Sequence, residues 1–191
     1  MPVQIGSKAH DFSNPTGLLS DCHRRIEMFM QALEGVAKTM DSPPSEEIRH
    51  SLDKALRYFR EAAPKHTADE EQSLFPRLRT LESPELSAAL EKLEELELDH
   101  RWSEPLHFRI EHLGQEYLSK GRLSEARVAD FRDAVARLSA MYLRHIALED
   151  KVLFPAAAKA LSERDKQVIA EEMAKRRALP LVSGARWDQG F

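Results

Sequence analysis

The chain has 191 residues, 42% of them apolar and 31% charged, with a net charge of −4 and an isoelectric point near 6.1. That is enough chain for one well-buried domain and short for two, and the lack of a basic field or massed arginines excludes nucleic acid as a partner. No charged start followed by an apolar core opens the sequence, no run of about 20 apolar residues occurs, and Cys22 is the single cysteine, so the expectation is a cytoplasmic protein without disulfides or membrane contact.

Seven glycines are few, β-branched runs are missing, and Ala, Leu, Glu, Arg and Lys dominate, so an all-α fold is expected. A first helix is predicted over residues 15–39, with Leu18, Leu19, Ile26, Phe29, Met30, Leu33 and Val36 at helical spacing. Pro43 and Pro44 then break it, because each removes a donor and the first also disfavours helix at Ser42. A second helix is expected through Ala55, Leu56, Phe59 and Leu74 to residue 81. Ser83-Pro84-Glu85 reads as a cap, a first-turn proline and an acid at the positive end of the dipole. It opens a third helix that stops at Gly121, just past Lys120. Ser124-Glu125 opens a fourth to Leu161, and Ser162 a shorter amphipathic one to Ala178, ahead of a polar tail with Trp187 and Phe191. Four long helices with short turns predict an antiparallel up-down four-helix bundle over residues 1–161, N-terminal arm included, with a C-terminal fifth helix and tail, residues 162–191, packed on it.

The sequence repeats itself once. HTADEEQSLFP begins at His66 and HIALEDKVLFP at His145, 79 residues later. On a helix, residues four apart stand one above the other, so His66 with Glu70, and His145 with Glu149, each put an imidazole and a carboxylate on one face. CHRRIE repeats that spacing in the first helix with His23 and Glu27, and DHRWSE repeats it in the third with His100 and Glu104. His23 and His100 are 77 residues apart, so the pattern is that of one helical hairpin used twice.

Spacing alone is weak, since Glu fills 21 of 191 positions and eight histidines would give about one such pair by chance. Six of the eight show it, His107 with Glu111 and His112 with Glu116 among them. Height is a sharper criterion. His23 and His66 lie 20 and 23 residues from the turn at Pro43, His66 and His100 each 17 from Ser83, and His100 and His145 21 and 24 from Gly121. At about 1.5 Å per residue the four imidazoles share one layer, while His107 and His112 fall about 10 and 18 Å away from it. These two, with His10 and His50, are set aside. Tyr142, three residues before His145, lies about 60° off the ligand face and reads as a packing tyrosine. Pro64 and Pro105 predict kinks beside the layer.

Carboxylates in a core must be paired or bind a cation, so the layer predicts a metal site with His23, Glu27, His66, Glu70, His100, Glu104, His145 and Glu149 as candidate ligands. Thiolate zinc is excluded, and eight N and O donors are too many for one tetrahedral ion. Two carboxylate-bridged ions would use them all, the setting of di-iron and di-manganese centres in helical bundles. Iron is preferred over manganese or zinc, and two Fe(II) ions carry +4 against −4 from the four glutamates.

At CHRRIE, HTADEEQSLFP, DHRWSE and HIALEDKVLFP the chain resembles the hemerythrin-like (HHE cation-binding) family, over roughly residues 10 to 160. The resemblance implies two iron ions with carboxylate and oxo or hydroxo bridges, Glu70 and Glu149 as bridging ligands, and His23, His66, His100 and His145 as terminal ones. Asp150 is an alternative bridge to Glu149. Glu104 stands where oxygen carriers of the family have a second histidine, which implies chemistry other than reversible oxygen carriage. The expected function is to bind, sense or reduce a small oxidant: dioxygen, hydrogen peroxide or nitric oxide. Whether that makes it an enzyme of peroxidase, catalase or oxidase type is left open. The alternative is an iron-storing, iron-donating or metal-stabilised bundle that works through a protein partner at the fifth helix.

Overall fold

The structure, a computed structural model, describes residues 10–179, and among these there are helices and no strand. The arm before His10 and the tail with Trp187 and Phe191 lie outside the described residues. No helix among them is long and apolar enough to cross a membrane.

Helix α1 (Pro15–Thr39) has its predicted bounds. Asn14 caps it, its Oδ1 accepting the Gly17 N–H at 3.0 Å, and Pro15 occupies the position where no donor is needed. Ser45 caps α2 (Glu46–Glu61) by accepting from the Ile48 N–H. Four segments replace the single second helix that was expected. They are α2, α3 (Ala63–Asp69), a π-helical turn (Glu70–Leu74) and α4 (Phe75–Leu78). The break falls at Ala62, so Pro64 sits harmlessly in the first turn of α3. The predicted third helix is also divided, into a 3₁₀ turn (Pro84–Leu86), α5 (Ser87–Leu90) and α6 (Leu93–Lys120). Pro105 lies inside α6 without ending it. Gly121 does end it, at φ +69°, with its N–H on the Tyr117 carbonyl at 2.8 Å. The fourth is α7 (Glu125–Leu148), a second π turn (Glu149–Leu153) and α8 (Phe154–Ala160), followed by α9 (Glu163–Arg176) capped by Ser162.

Both π turns open on the repeated glutamate and run into Leu-Phe-Pro. The Phe75 N–H bonds the Glu70 carbonyl, and the Phe154 N–H bonds that of Glu149, each five residues back. Pro76 and Pro155 account for this: each lacks a donor, and its ring would collide with the carbonyl four residues earlier in an α-helix. A widened turn moves that carbonyl aside.

The chain packs as two compact units. One takes the chain up to Arg25, Lys65–Glu95, and everything described from Ile146 onward. Leu18, Leu19, Leu74, Phe75, Leu78 and Leu153 are fully buried in it, each worth about 1.5–3 kcal/mol of transfer free energy. Helix α9 belongs to this unit and buries Ile169, Ala170, Met173 and Ala174. Its polar side is bonded as well. Arg176 Nη1 donates to Asp69 at 2.8 Å and Nη2 to Ser73 Oγ at 2.7 Å, Arg177 also pairs with Asp69, and Arg77 makes a two-pronged pair with Glu172 at 2.8 and 3.0 Å.

The second unit takes Ile26–Pro64 and Leu96–His145, around buried Leu33, Leu52, Leu56, Tyr117, Phe131 and Leu138. At Gly114 α6 comes so close to α2 that a Cβ would stand 2.8 Å from Leu56 Cδ1. Tyr117 donates to the Ser42 carbonyl at 2.7 Å and Arg132 to that of Ala37 at 2.8 Å, tying down the turn after α1.

Candidate metal centre

In the first unit, α1, α3 and the two π turns bring His23, His66, Glu70 and Glu149 together, each offering one ligand atom within 4.8 Å of the others. Glu70 and Glu149 have no exposed surface, nor does His23, and His66 has almost none. His66 Nε2 lies 3.2 Å from Glu70 Oε1, and His23 Nε2 lies 3.1 Å from Glu149 Oε2. The two imidazoles meet edge to face with centroids 4.9 Å apart, and Phe154 stacks on the outer face of His23 at 5.3 Å.

Such a set is unstable without a cation. Burial, and then the neighbouring charge of Glu149, push the Glu70 carboxyl well above its ordinary range. Burial lowers the His23 imidazole, but bonds to Asp150 and Glu149 outweigh it and raise it overall. Both shifts have one meaning: the pocket calls for positive charge, supplied by protons when no metal is present. The edges fit an ion equally well. Two donors about 2.1 Å from one metal are about 3.0 Å apart at a right angle and about 3.4 Å apart at the tetrahedral angle.

Asp150 lies outside the gathered groups and supports His23. Its Oδ1 takes the Nδ1 side of His23 at 2.8 Å and the Ser20 hydroxyl at 2.7 Å, while Oδ2 takes Arg24 Nη2 at 2.5 Å. A carboxylate on Nδ1–H fixes the tautomer and leaves the Nε2 lone pair for a metal. Burial raises the Asp150 carboxyl, and the bonds from His23 and Ser20 more than reverse this.

The second unit repeats the device. His100 and His145 face each other with Nε2 atoms 3.2 Å apart, and both are buried. Asp99 lies 3.4 Å from His145 Nδ1 and accepts Arg144 Nη2 at 2.5 Å. As at Asp150, burial raises the Asp99 carboxyl but His145 and Arg144 bring it below its usual value. In each unit, then, an arginine beside a cluster histidine holds the acid that holds that histidine.

Six of the eight ligands expected from sequence lie in these clusters. Glu27 and Glu104 do not: neither is among the residues gathered as metal-holding groups, Glu104 being exposed and Glu27 half-buried. Four residues of regular α-helix turn by about 400°, leaving the second side chain about 40° past the first, and packing decides whether that offset still faces the interior: Glu27 is half-buried and Glu104 exposed, while Glu70 and Glu149 are fully buried. Of the histidines set aside, His50 and His112 are exposed and His10 bonds Asp21 at the surface. His107 has a partner of another kind, the Tyr142 hydroxyl at 3.0 Å. Asp99 and the support given by Asp150 were missed because neither acid lies at helical spacing from the histidine it holds. Pro76 and Pro155 were the available signal for the π turns.

Residues 14–157 match the family described as hemerythrin HHE cation binding domain. An uncharacterized protein of Haemophilus influenzae is 27% identical over 169 residues, which span 87% of this chain and 91% of that protein.

Proposed function

Since the chain belongs to the hemerythrin HHE cation-binding family, we propose that it holds two iron ions in an up-down four-helix bundle and uses them to bind, sense or reduce dioxygen, hydrogen peroxide or nitric oxide. The observation that carries this is the pair of fully buried carboxylates, Glu70 and Glu149, set among imidazoles with no exposed surface to speak of. His23, His66, Glu70 and Glu149 would hold an ion in the first unit, and His100 and His145 would supply the imidazoles for the other.

Charge supports the pairing with a different set of acids from the one expected. Two Fe(II) ions carry +4, and Glu70, Glu149, Asp99 and Asp150 carry −4, the last two acting through the imidazoles they hold. Iron held by these imidazoles and carboxylates would supply electrons to a small oxidant. The protein's own groups do the rest. Asp150 and Asp99 keep the Nε2 lone pairs of His23 and His145 aimed inward. Glu70 gives up its proton when a cation enters. Phe154 shields His23 from water. A working surface on the fifth helix has less support, because α9 spends its apolar face and Glu172, Arg176 and Arg177 within its own unit.

The test is to purify the protein aerobically, measure metal per chain, and record absorption with and without azide or peroxide. About two irons per chain, with a visible band that shifts on adding azide, is the expected result. One zinc per chain and a spectrum indifferent to azide would overturn it.

A further inference from the structure

Beside the ligand pair of the second unit lies a polar contact that metal binding does not use. Tyr142 stands one turn before His145 on α7, about 4.5 Å along the helix axis, and its hydroxyl is 3.0 Å from His107 Nε2. Phe59 packs on both rings, with centroids 5.1 Å from His107 and 6.2 Å from Tyr142. The contact joins α7 to α6 at residues 35 apart, so it is a tertiary feature and not a by-product of helical spacing.

His107 is lowered to about 4 by desolvation, so at neutral pH it is uncharged, and in the tautomer with its proton on Nδ1 its Nε2 accepts the Tyr142 O–H. A phenol hydrogen-bonded to a neutral imidazole can lose an electron and pass its proton along the existing bond. A phenol without such an acceptor would have to form a charged radical or wait for solvent.

We propose that Tyr142 is a one-electron donor to the iron centre, with His107 as the acceptor of its proton; this rests on the proposed redox function of that centre. Atoms and charge balance. Hydrogen peroxide takes two electrons and two protons to become two waters. When the metal pair can furnish only one of those electrons, Tyr142 furnishes the other and becomes a neutral phenoxyl radical. Its hydroxyl proton crosses to Nε2, leaving His107 as imidazolium, and solvent supplies the two protons that peroxide consumes. External reductant returns the electron, and the proton goes back from His107.

The experiment uses the full chain loaded with iron and partly reduced, mixed with hydrogen peroxide and frozen for electron paramagnetic resonance, while absorption follows the metal. Wild type is expected to give a tyrosyl radical whose spectrum narrows when the tyrosines are ring-deuterated. Tyr142→Phe should lose the signal while iron content and metal oxidation persist. His107→Phe, which keeps Tyr142 but removes the acceptor, should cut the radical yield about tenfold, the scale of one buried hydrogen bond. Metal oxidation without a tyrosyl signal, or a signal that survives in Tyr142→Phe, refutes the donor role and leaves the redox centre standing. Iron that peroxide does not oxidise refutes the redox function itself, and the donor role with it. A metal-free readout runs in parallel: hexachloroiridate should oxidise Tyr142 about tenfold more slowly in His107→Phe than in wild type, and equal rates in the two would count against a tuned pair.

Discussion

Replacing Arg176 and Arg177 together by Ala should destabilise the protein strongly, although neither touches the proposed metal ligands. Asp69 has no exposed surface, Arg177 is 8% exposed and Arg176 20%, and both guanidiniums meet this one carboxylate. Deleting both leaves a buried charge uncompensated, which costs about 3–5 kcal/mol. Against a total stability of about 5–15 kcal/mol, and at about 2–4 °C per kcal/mol for a chain of this size, the melting temperature should fall by about 6–20 °C. Arg176→Ala alone should cost less, because Arg177 remains on Asp69. The assay is urea unfolding of the metal-free protein, so that metal linkage does not enter. Asp69→Asn in the double-Ala background completes a cycle: it should recover part of the loss, with a coupling of about 0.5–3 kcal/mol. A loss below about 1 kcal/mol for the double variant, the range of exposed pairs, would show that α9 is not clamped through Asp69.

Three further outcomes follow from the site. Glu70 and His23 are both raised in the fold, so the stability they contribute is complete at low pH and lost as pH rises; above 6.5, the ordinary value from which His107 is lowered, His107 is neutral folded or unfolded and adds no slope. The melting temperature of the metal-free protein should therefore fall from pH 6.5 upward, and metal loading should flatten the curve; a flat metal-free curve would contradict the buried-carboxylate account. Pro76→Ala restores the donor whose absence forces the π turn, so metal affinity should drop at least about tenfold with helix content unchanged by circular dichroism; unchanged affinity would mean the turn has another cause. Asp150→Asn should weaken metal binding about 10–100-fold, whereas Glu104→Gln should leave metal stoichiometry and affinity as they are, and equilibrium dialysis of the two variants separates support from bystander.

The helices and most residues of the gathered His/Glu clusters were legible in the sequence because their signals are local. Apolar periodicity, the stops at Pro43 and Gly121 and the caps at Ser45 and Ser162 act within a turn or two of chain. The repeated His-x3-Glu with Leu-Phe-Pro is local too, and it singled out His66, Glu70, His145 and Glu149. The same rule named Glu27 and Glu104, which do not lie in the gathered clusters, because an α-helical spacing says where a side chain leaves the helix but not which side is packed against.

From the sequence alone came an all-helical chain, four histidines and four glutamates suited to a metal, and the absence of a thiolate set, since residue types and helical spacing carry that information without reference to distant chain. Tertiary structure decided the rest. His23 is held by an acid 127 residues away, His145 by one 46 residues away, and His107 meets Tyr142 across 35. These contacts exist only once helices pack, when burial raises the cost of every unpaired polar group and so selects which acid, arginine or phenol must answer each imidazole.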